Sequence, residues 1–430
     1  MKCFNNPAKD TWPDIIRRPQ IELEFLESSV RNTINRVRMS GDNALKELTF
    51  QFDGVKLEVL EVSEKETKSA IASLDESIKN AMQVAAANIR KFHFHQKRET
   101  IEIETMPGVK CWRKHVPIQK IGIYIPGGTA PLFSTVLMLG IPAQLAGCRE
   151  IIMCTPPDKN GLIPSAILFA ASLSGIKKIY KVGGAQAIAA MAYGTQSIPA
   201  VYKIFGPGNQ YVTKAKQIVN ADGVAIDMPA GPSEVMVIAD LTADASFVAA
   251  DLLSQAEHGT DSQVVLVSLS ESKSLEIQKE IDRQLEKLPR KEIARQAIQH
   301  SLVINFANKE SAIHFANEYA PEHLIINTSD PDSLADKIEN AGSIFLGPYS
   351  PEAVGDYASG TNHTLPTHGF AKAYSGVSLE SFMKIITYQK ITAEGLKILG
   401  PTVEVMAKEE CLEGHRQAIS IRLNNLSERN

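Results

Sequence analysis

Cysteine is scarce and unpatterned in this sequence. Cys3, Cys111, Cys148, Cys154 and Cys411 are odd in number and irregular in spacing, and no CxxC pair occurs. That excludes a disulfide framework and points to reduced, mostly buried thiols in a cytoplasmic protein. No GxGxxG string is present, so the standard dinucleotide fingerprint is missing. The opening MKCFNNPAKDTWPD has no apolar core of the kind a secretion signal needs. No sign of charge dominates: the net charge of -4 gives no general attraction to nucleic acid or to an anionic membrane. Internal repeats and low-complexity segments are absent as well. One long stretch, residues 121–148, lacks charge altogether. Pro126, Gly127, Gly128, Pro131, Gly140 and Pro142 interrupt it, so it reads as a buried strand, a glycine turn and a buried helix, with no membrane span.

What is present is an ordinary globular balance, 44% hydrophobic and 22% charged over 430 residues, long enough for at least two domains. Residues 20–100 read as helices, with an amphipathic one over 21–39 and a long one over 75–97. From Lys120 the pattern becomes strand, glycine turn, helix: KIGIYIPGG, EIIMCTPP, KKIYKVGG and VYKIFGPGN each lead into a helical segment. Their apolar character on both faces and their repeat of about thirty residues imply a parallel sheet with right-handed crossovers. AIDMPAGPSE breaks the rhythm, and a second series follows in EVMVIAD, SQVVLVS, SLVINFA, EHLIINT and GSIFLG. Two α/β layers are expected, the first inserted between the early helices and the second. From Val377 the strand signal fades, and the last thirty residues read as a short separate tail.

Several strings carry candidate chemistry. In DLLSQAEHG, Gln255 and His258 stand three apart and share a helical face. His258, followed by Gly259, is as readily a helix cap as a ligand, and Gln255 alone is more readily a hydrogen-bonded amide. Together with Asp356 of EAVGDYASG and His415 of CLEGHRQ, they make a mixed set suited to an open metal site that leaves positions for substrate. Glu322-His323, in APEHLII, offers a carboxylate to activate water beside an imidazole that moves protons near neutral pH. The glycine turns IPGG, KVGGAQA and FGPGNQ lie between strands and helices, where helix N-termini bind anions; packing glycines would look the same.

Read together, YIPGG, AIDMPAGPSEVMVIAD, DLLSQAEHG, NEYAPEHL, YSPEAVGDYASGTNHTLPT and GHRQAISIR resemble the histidinol dehydrogenase family, in order and over nearly the whole chain. The resemblance implies an NAD-dependent, zinc-containing, cytoplasmic enzyme of histidine biosynthesis. It would oxidise an amino alcohol through the aldehyde to the amino acid by two hydride transfers. By motif, Gln255, His258, Asp356 and His415 match zinc ligands that also touch substrate, and Glu322 and His323 match the catalytic pair, His323 also meeting substrate. Ser233, His363 and Glu410 match further substrate contacts, while Tyr124, Gln186 and Asn209 match cofactor contacts. The family is a homodimer with exchanged elements, so the tail histidine is expected in the partner's zinc site.

The fold class expected is α/β, with two Rossmann-like parallel-sheet domains of aldehyde-dehydrogenase-like type, a small helical domain and a C-terminal tail. The boundaries expected are 20–123 with 234–377 for the main domain and 124–233 for the inserted one. Residues 1–19 with 378–400 would form the helical domain, and 401–430 the tail. Competing readings are a relative acting on another alcohol, a thiol-dependent aldehyde dehydrogenase, a zinc hydrolase and a non-catalytic paralogue. The thiol route needs a nucleophilic cysteine, whereas Cys148 and Cys154 flank an apolar strand and look like packing residues.

Overall fold

In the computed structural model, which describes residues 1–18, 23–127, 131–229 and 231–428, two parallel sheets are built on one plan. In chain order the strands are β1 (Lys2–Asn5), β2 (Glu102–Met106), β3 (Val109–Pro117), β4 (Lys120–Tyr124), β5 (Glu150–Thr155), β6 (Lys178–Lys181), β7 (Lys203–Phe205), β8 (Ala225–Ile226), β9 (Glu234–Ala239), β10 (Gln263–Ser268), β11 (Leu302–Asn305), β12 (His323–Asn327), β13 (Ser343–Leu346) and β14 (Met383–Ile391). The smaller sheet runs β6-β5-β4-β7-β8 and the larger β1-β11-β10-β9-β12-β13. Every neighbouring pair in both is parallel. Apart from β1, which joins the edge of the larger sheet, each sheet starts at a central strand, β4 or β9, steps twice to one side, then returns to the other. That reversal leaves a crevice at the strand ends, the usual ligand position in such sheets. The α/β expectation of two parallel sheets therefore holds.

The strands take this form because they are apolar on both faces. β9, β10, β11 and β12 are buried along their whole length, as parallel strands covered by helices must be. β13, at the edge, alternates partly buried and exposed residues. The uncharged run 121–148 resolves into β4 and the buried helix Phe133–Ala146. Among the described residues no helix is long and apolar enough to cross a membrane.

These sheets and their helices make up one unit, residues 1–96 and 118–382; residues 97–117 and 383–430 make up a second. Several pieces sit differently from the sequence reading. Residues 1–19, expected in a helical domain, contribute β1 to the larger sheet, where Lys2–Asn5 pairs with β11. The early helices Leu23–Ser40 and Asp42–Asp53, expected with the main domain, pack on the smaller sheet's helices. Val30, Ile34, Leu45 and Leu48 share a core there with Tyr124, Ile152 and Ile188. In the second unit, β14 pairs antiparallel with β3 along its length, and β3 with β2. β14 falls where the strand signal fades, because only its first and sixth residues and its last are shielded and Lys384, Gln389 and Lys390 interrupt its apolar run. Two helices, Ala393–Glu409 and Glu413–Glu428, complete that unit. Ile21, Gly128 and Ala230 lie outside the described residues.

Candidate active site

Glu322 and His323 enter the larger sheet from a sharp turn. The helix Lys309–Tyr319 ends at Ala320, which adopts a left-handed φ of 53°, and Pro321 then starts the chain toward β12. A non-glycine residue in that region is strained and is held there by its surroundings. The turn sets both side chains beside the amino end of β9, and His323 is in register with Val235. Glu234 is the common partner. Its N–H donates to Glu322 Oε2 at 2.8 Å, and its carbonyl oxygen lies 3.2 Å from His323 Nδ1. A carbonyl only accepts, so this contact is a hydrogen bond only when Nδ1 carries a proton. Gln255, on the helix Ala245–Ala256, directs its amide nitrogen at the same carbonyl, 3.3 Å away, and at Glu322 Oε2, 3.5 Å away. The same nitrogen lies 3.3 Å from His323 Nδ1, and in this orientation Gln255 Oε1 is buried without a hydrogen-bond partner.

The short helix Glu352–Tyr357 faces this group with two carboxylates one turn apart. Ligand-type atoms of His323, Glu352 and Asp356 lie within 4.8 Å of one another. His323 Nε2 stands 3.3 Å from Asp356 Oδ1 and makes no hydrogen bond, nor do Asp356 Oδ1 and Glu352 Oε2. Four buried polar atoms are thus unsatisfied in one place, a costly arrangement unless something else binds them. Asp356 alone of this trio is among the expected zinc ligands; Glu352 was missed. Its position four residues before Asp356, after a helix-starting Pro351, was the signal that could have found it.

The electrostatics follow from burial. Burial pushes the Glu322 carboxyl up to about 8 against the pull of His323, and raises that of Glu352. For His323 burial opposes the charge, but Glu352, Glu322 and Asp356 outweigh it and push the pKa up to about 10. Burial works against ionised Asp356 too, yet His323, His363 and His258 hold its pKa below the usual carboxylate range.

The helix carrying Gln255 closes at Ala256, so His258 sits in the following turn, where its N–H donates to Gln255 O at 3.2 Å. Water reaches its ring, although the protein around it depresses its pKa against the pull of Asp356. His258, Ser233 and Asn209 line a cleft of about 430 Å³. It runs between the carboxyl end of β7 and the amino ends of β9 and β10. His363 is already engaged at both nitrogens: Nδ1 donates to the Asp356 carbonyl at 3.0 Å, and Nε2 lies 2.9 Å from Thr135 Oγ1.

A second cavity of about 680 Å³ opens at the carboxyl end of the smaller sheet, by the β4–β7 reversal. Tyr124, Gln186 and Asn209 all line it. The Tyr124 hydroxyl accepts from Gly184 N at 3.0 Å, at the N-terminus of the helix Gly184–Tyr193. Asn209 caps the helix Gln210–Ala221, accepting from Tyr211 N and Val212 N at 3.1 and 3.2 Å. It borders both cavities and so stands where their occupants would meet. Asp53 and Asp158 are among the lining residues, and no lysine or arginine is, among the described residues. Glu410 and His415 lie in the second unit, both exposed. A thiol nucleophile finds no support, because burial raises the Cys154 pKa and pushes that of Cys148 up to about 12.

The histidinol dehydrogenase family model matches residues 16–423. The chain belongs to the histidinol dehydrogenase family. It is therefore an oxidoreductase. The chain is 55% identical over 426 residues to the histidinol dehydrogenase of Bacteroides thetaiotaomicron, covering 99% of this chain and 100% of that one. It is 53% identical over 418 residues to that of Vibrio vulnificus, covering 96% of each. The crystal structure of histidinol dehydrogenase from Elizabethkingia anophelis superposes with a TM-score of 0.97 at 54% identity, over 99% of both chains.

Proposed function

We propose that the chain oxidises L-histidinol through L-histidinaldehyde to L-histidine, the closing steps of histidine biosynthesis, with NAD and zinc, as a cytoplasmic homodimer with shared sites. The observation that carries this reading is the buried Glu322–His323 pair, held by Glu234 beside the unsatisfied oxygens of Gln255 and Asp356. Membership of the family supplies the substrate.

An amide oxygen, a carboxylate and an exposed imidazole with depressed pKa are hard and borderline donors that suit zinc. Gln255, His258 and Asp356, with the partner's His415, would hold it. When bound, zinc supplies a positive template for the substrate's amino and imidazole nitrogens. When bound in the larger cavity beside Tyr124, Gln186 and Asn209, NAD takes the hydride of each oxidation. Ser233, His363 and Glu410 are assigned to substrate; His363 would exchange its Thr135 hydrogen bond for that contact.

His323 Nε2, which faces Asp356 without a hydrogen-bond partner, would receive the hydroxyl proton, since Nδ1 lies against the Glu234 carbonyl and the Gln255 amide. The carboxylates that raise its pKa are the groups a cation would neutralise, so His323 acts as a base once their charge is taken up. Glu322, its pKa near neutral through burial, takes a proton from the water that adds to the aldehyde. The hydrate then loses its second hydride, and water's oxygen stays in the carboxylate. The overall balance is one histidinol, two NAD⁺ and one water to one histidine, two NADH and three protons. Counting NADH and histidine together in one assay tests this: two per histidine with no free aldehyde is expected, and one per turnover with aldehyde released overturns it.

A further inference from the structure

Arg18 lies far from the Glu322–His323 pair in sequence and in the usual sense touches no reacting group, yet it holds the residue on which that pair is built. Arg18 Nε donates to Glu234 Oε1 at 2.5 Å and Nη2 donates to Oε2 at 2.8 Å, a bidentate fork. Nη2 also donates to the Tyr319 carbonyl at 2.9 Å, and the guanidinium lies 4.0 Å over the Tyr319 ring. Both charged side chains are nearly sealed from water, at 9% and 2% exposure. A further bond, from His368 N to Glu234 Oε1 at 3.1 Å, completes the cage around that carboxylate.

Two of these contacts bear on the active site. The backbone of Glu234 binds Glu322, His323 and Gln255, so fixing its side chain fixes the frame they share. Tyr319 ends the helix whose Ala320–Pro321 turn delivers Glu322, so the same guanidinium holds the second approach to the pair. A buried ion pair is weak evidence for stability, since desolvation offsets much of its attraction. Its geometric specificity is the better account of why one is placed here.

We infer that Arg18 is a positioning residue of the active site, acting through Glu234 and Tyr319 on Glu322, His323 and Gln255. This rests on the proposed role of that pair. Lysine offers a point charge in place of the planar fork, so Arg18→Lys should recover only part of what Arg18→Met loses. Partners that orient the ligands of a metal site typically matter by about 10–100-fold in activity or metal affinity.

The test compares wild type with Arg18→Met, Arg18→Lys and Glu234→Gln, in the full-length protein. Leu266→Ala, in the β10 core, serves as a control for general destabilisation. The expected result is a kcat about 10–100-fold lower in Arg18→Met with KM for NAD little changed, a smaller loss in Arg18→Lys, and weaker zinc retention on dialysis. In metal-free protein, the NMR signals of the His323 imidazole should be single and sharp in wild type and doubled or broadened in Arg18→Met. Unchanged His323 signals together with unchanged zinc retention in Arg18→Met overturn the inference. So does a loss of kcat no larger than that of Leu266→Ala at a matched fall in melting temperature. The NMR and zinc readouts need no turnover, so they stand even if wild type proves inactive on histidinol, which would instead overturn the proposed reaction.

Discussion

Glu352 and Asp356 stand one turn apart on a short helix, and each leaves one buried carboxylate oxygen with no hydrogen-bond partner beside His323. Two like charges this close, out of water, cost free energy in the metal-free protein; burial first, and the Asp356 charge after it, raises the Glu352 pKa. A bound cation reverses the sign of that interaction.

Metal removal should therefore abolish activity while leaving the fold intact. The cores of the larger sheet, around Val237, Leu266 and Ile325, are apolar and need no ligand to close. Bound metal at a hundred times its dissociation constant adds about 2.7 kcal/mol to stability. Chelation is thus expected to lower the melting temperature by a few degrees without loss of far-ultraviolet circular dichroism. Global unfolding at room temperature on chelation would show that the site is structural.

Glu322→Gln should impair aldehyde oxidation more than alcohol oxidation, since only the aldehyde step needs activated water. Removing a positioned base typically costs about 10²–10⁴-fold. The glutamine oxygen can still accept from Glu234 N, so the frame should survive. Separate single-turnover rates with histidinol and histidinaldehyde measure the two halves; equal losses would refute the division of labour.

Much of this was readable from the sequence. EVMVIA and HLIIN announce themselves because strands covered on both faces cannot be interrupted by charge. Glu322 and His323 were legible as a dipeptide, but not their dependence on Glu234, which lies 88 residues earlier and meets them only across β9 and β12. Arg18 was invisible for the same reason, being 216 residues from its partner. β14 escaped notice because an antiparallel strand with a wet face need not be apolar, and β1 because four edge residues, all but Phe4 exposed, carry too little pattern. Gln255 alone reads as a hydrogen-bonded amide and is a ligand candidate only within its set; its free oxygen became visible only once its nitrogen was placed.

Gly206→Ala should weaken NAD binding through the backbone. Gly206 has φ of 123°, and a Cβ there would collide with the Tyr124 carbonyl oxygen. Asp227 Oδ2 accepts from its N–H at 2.8 Å and Lys216 Nζ donates to its carbonyl at 2.9 Å, so the loop cannot simply move aside. Strain of this type costs about 1–3 kcal/mol. Because Gly206 leads directly into Asn209, NAD affinity is expected to fall about tenfold or more, one factor of ten for each ~1.4 kcal/mol. Fluorescence titration with NAD checks it, and unchanged affinity in a folded variant would separate Asn209 from the cofactor.

The last expectation concerns His415. It is exposed in the second unit, whereas Asp356 is held in the first. If each site takes its tail histidine from the partner, two inactive variants should complement one another. Asp356→Ala and His415→Ala would be mixed, dissociated and refolded together. In a mixed dimer one site receives both lesions and the other neither. Random pairing makes roughly half the dimers mixed, so about a quarter of all sites become intact under twofold symmetry. Activity should then rise from near zero to about a quarter of wild type. If His415 serves its own chain, every site in every dimer keeps one lesion and nothing is regained. Exchange is verified independently with one variant carrying a purification tag, by finding the untagged chain in the captured dimers. Captured mixed dimers without recovered activity would overturn the shared site.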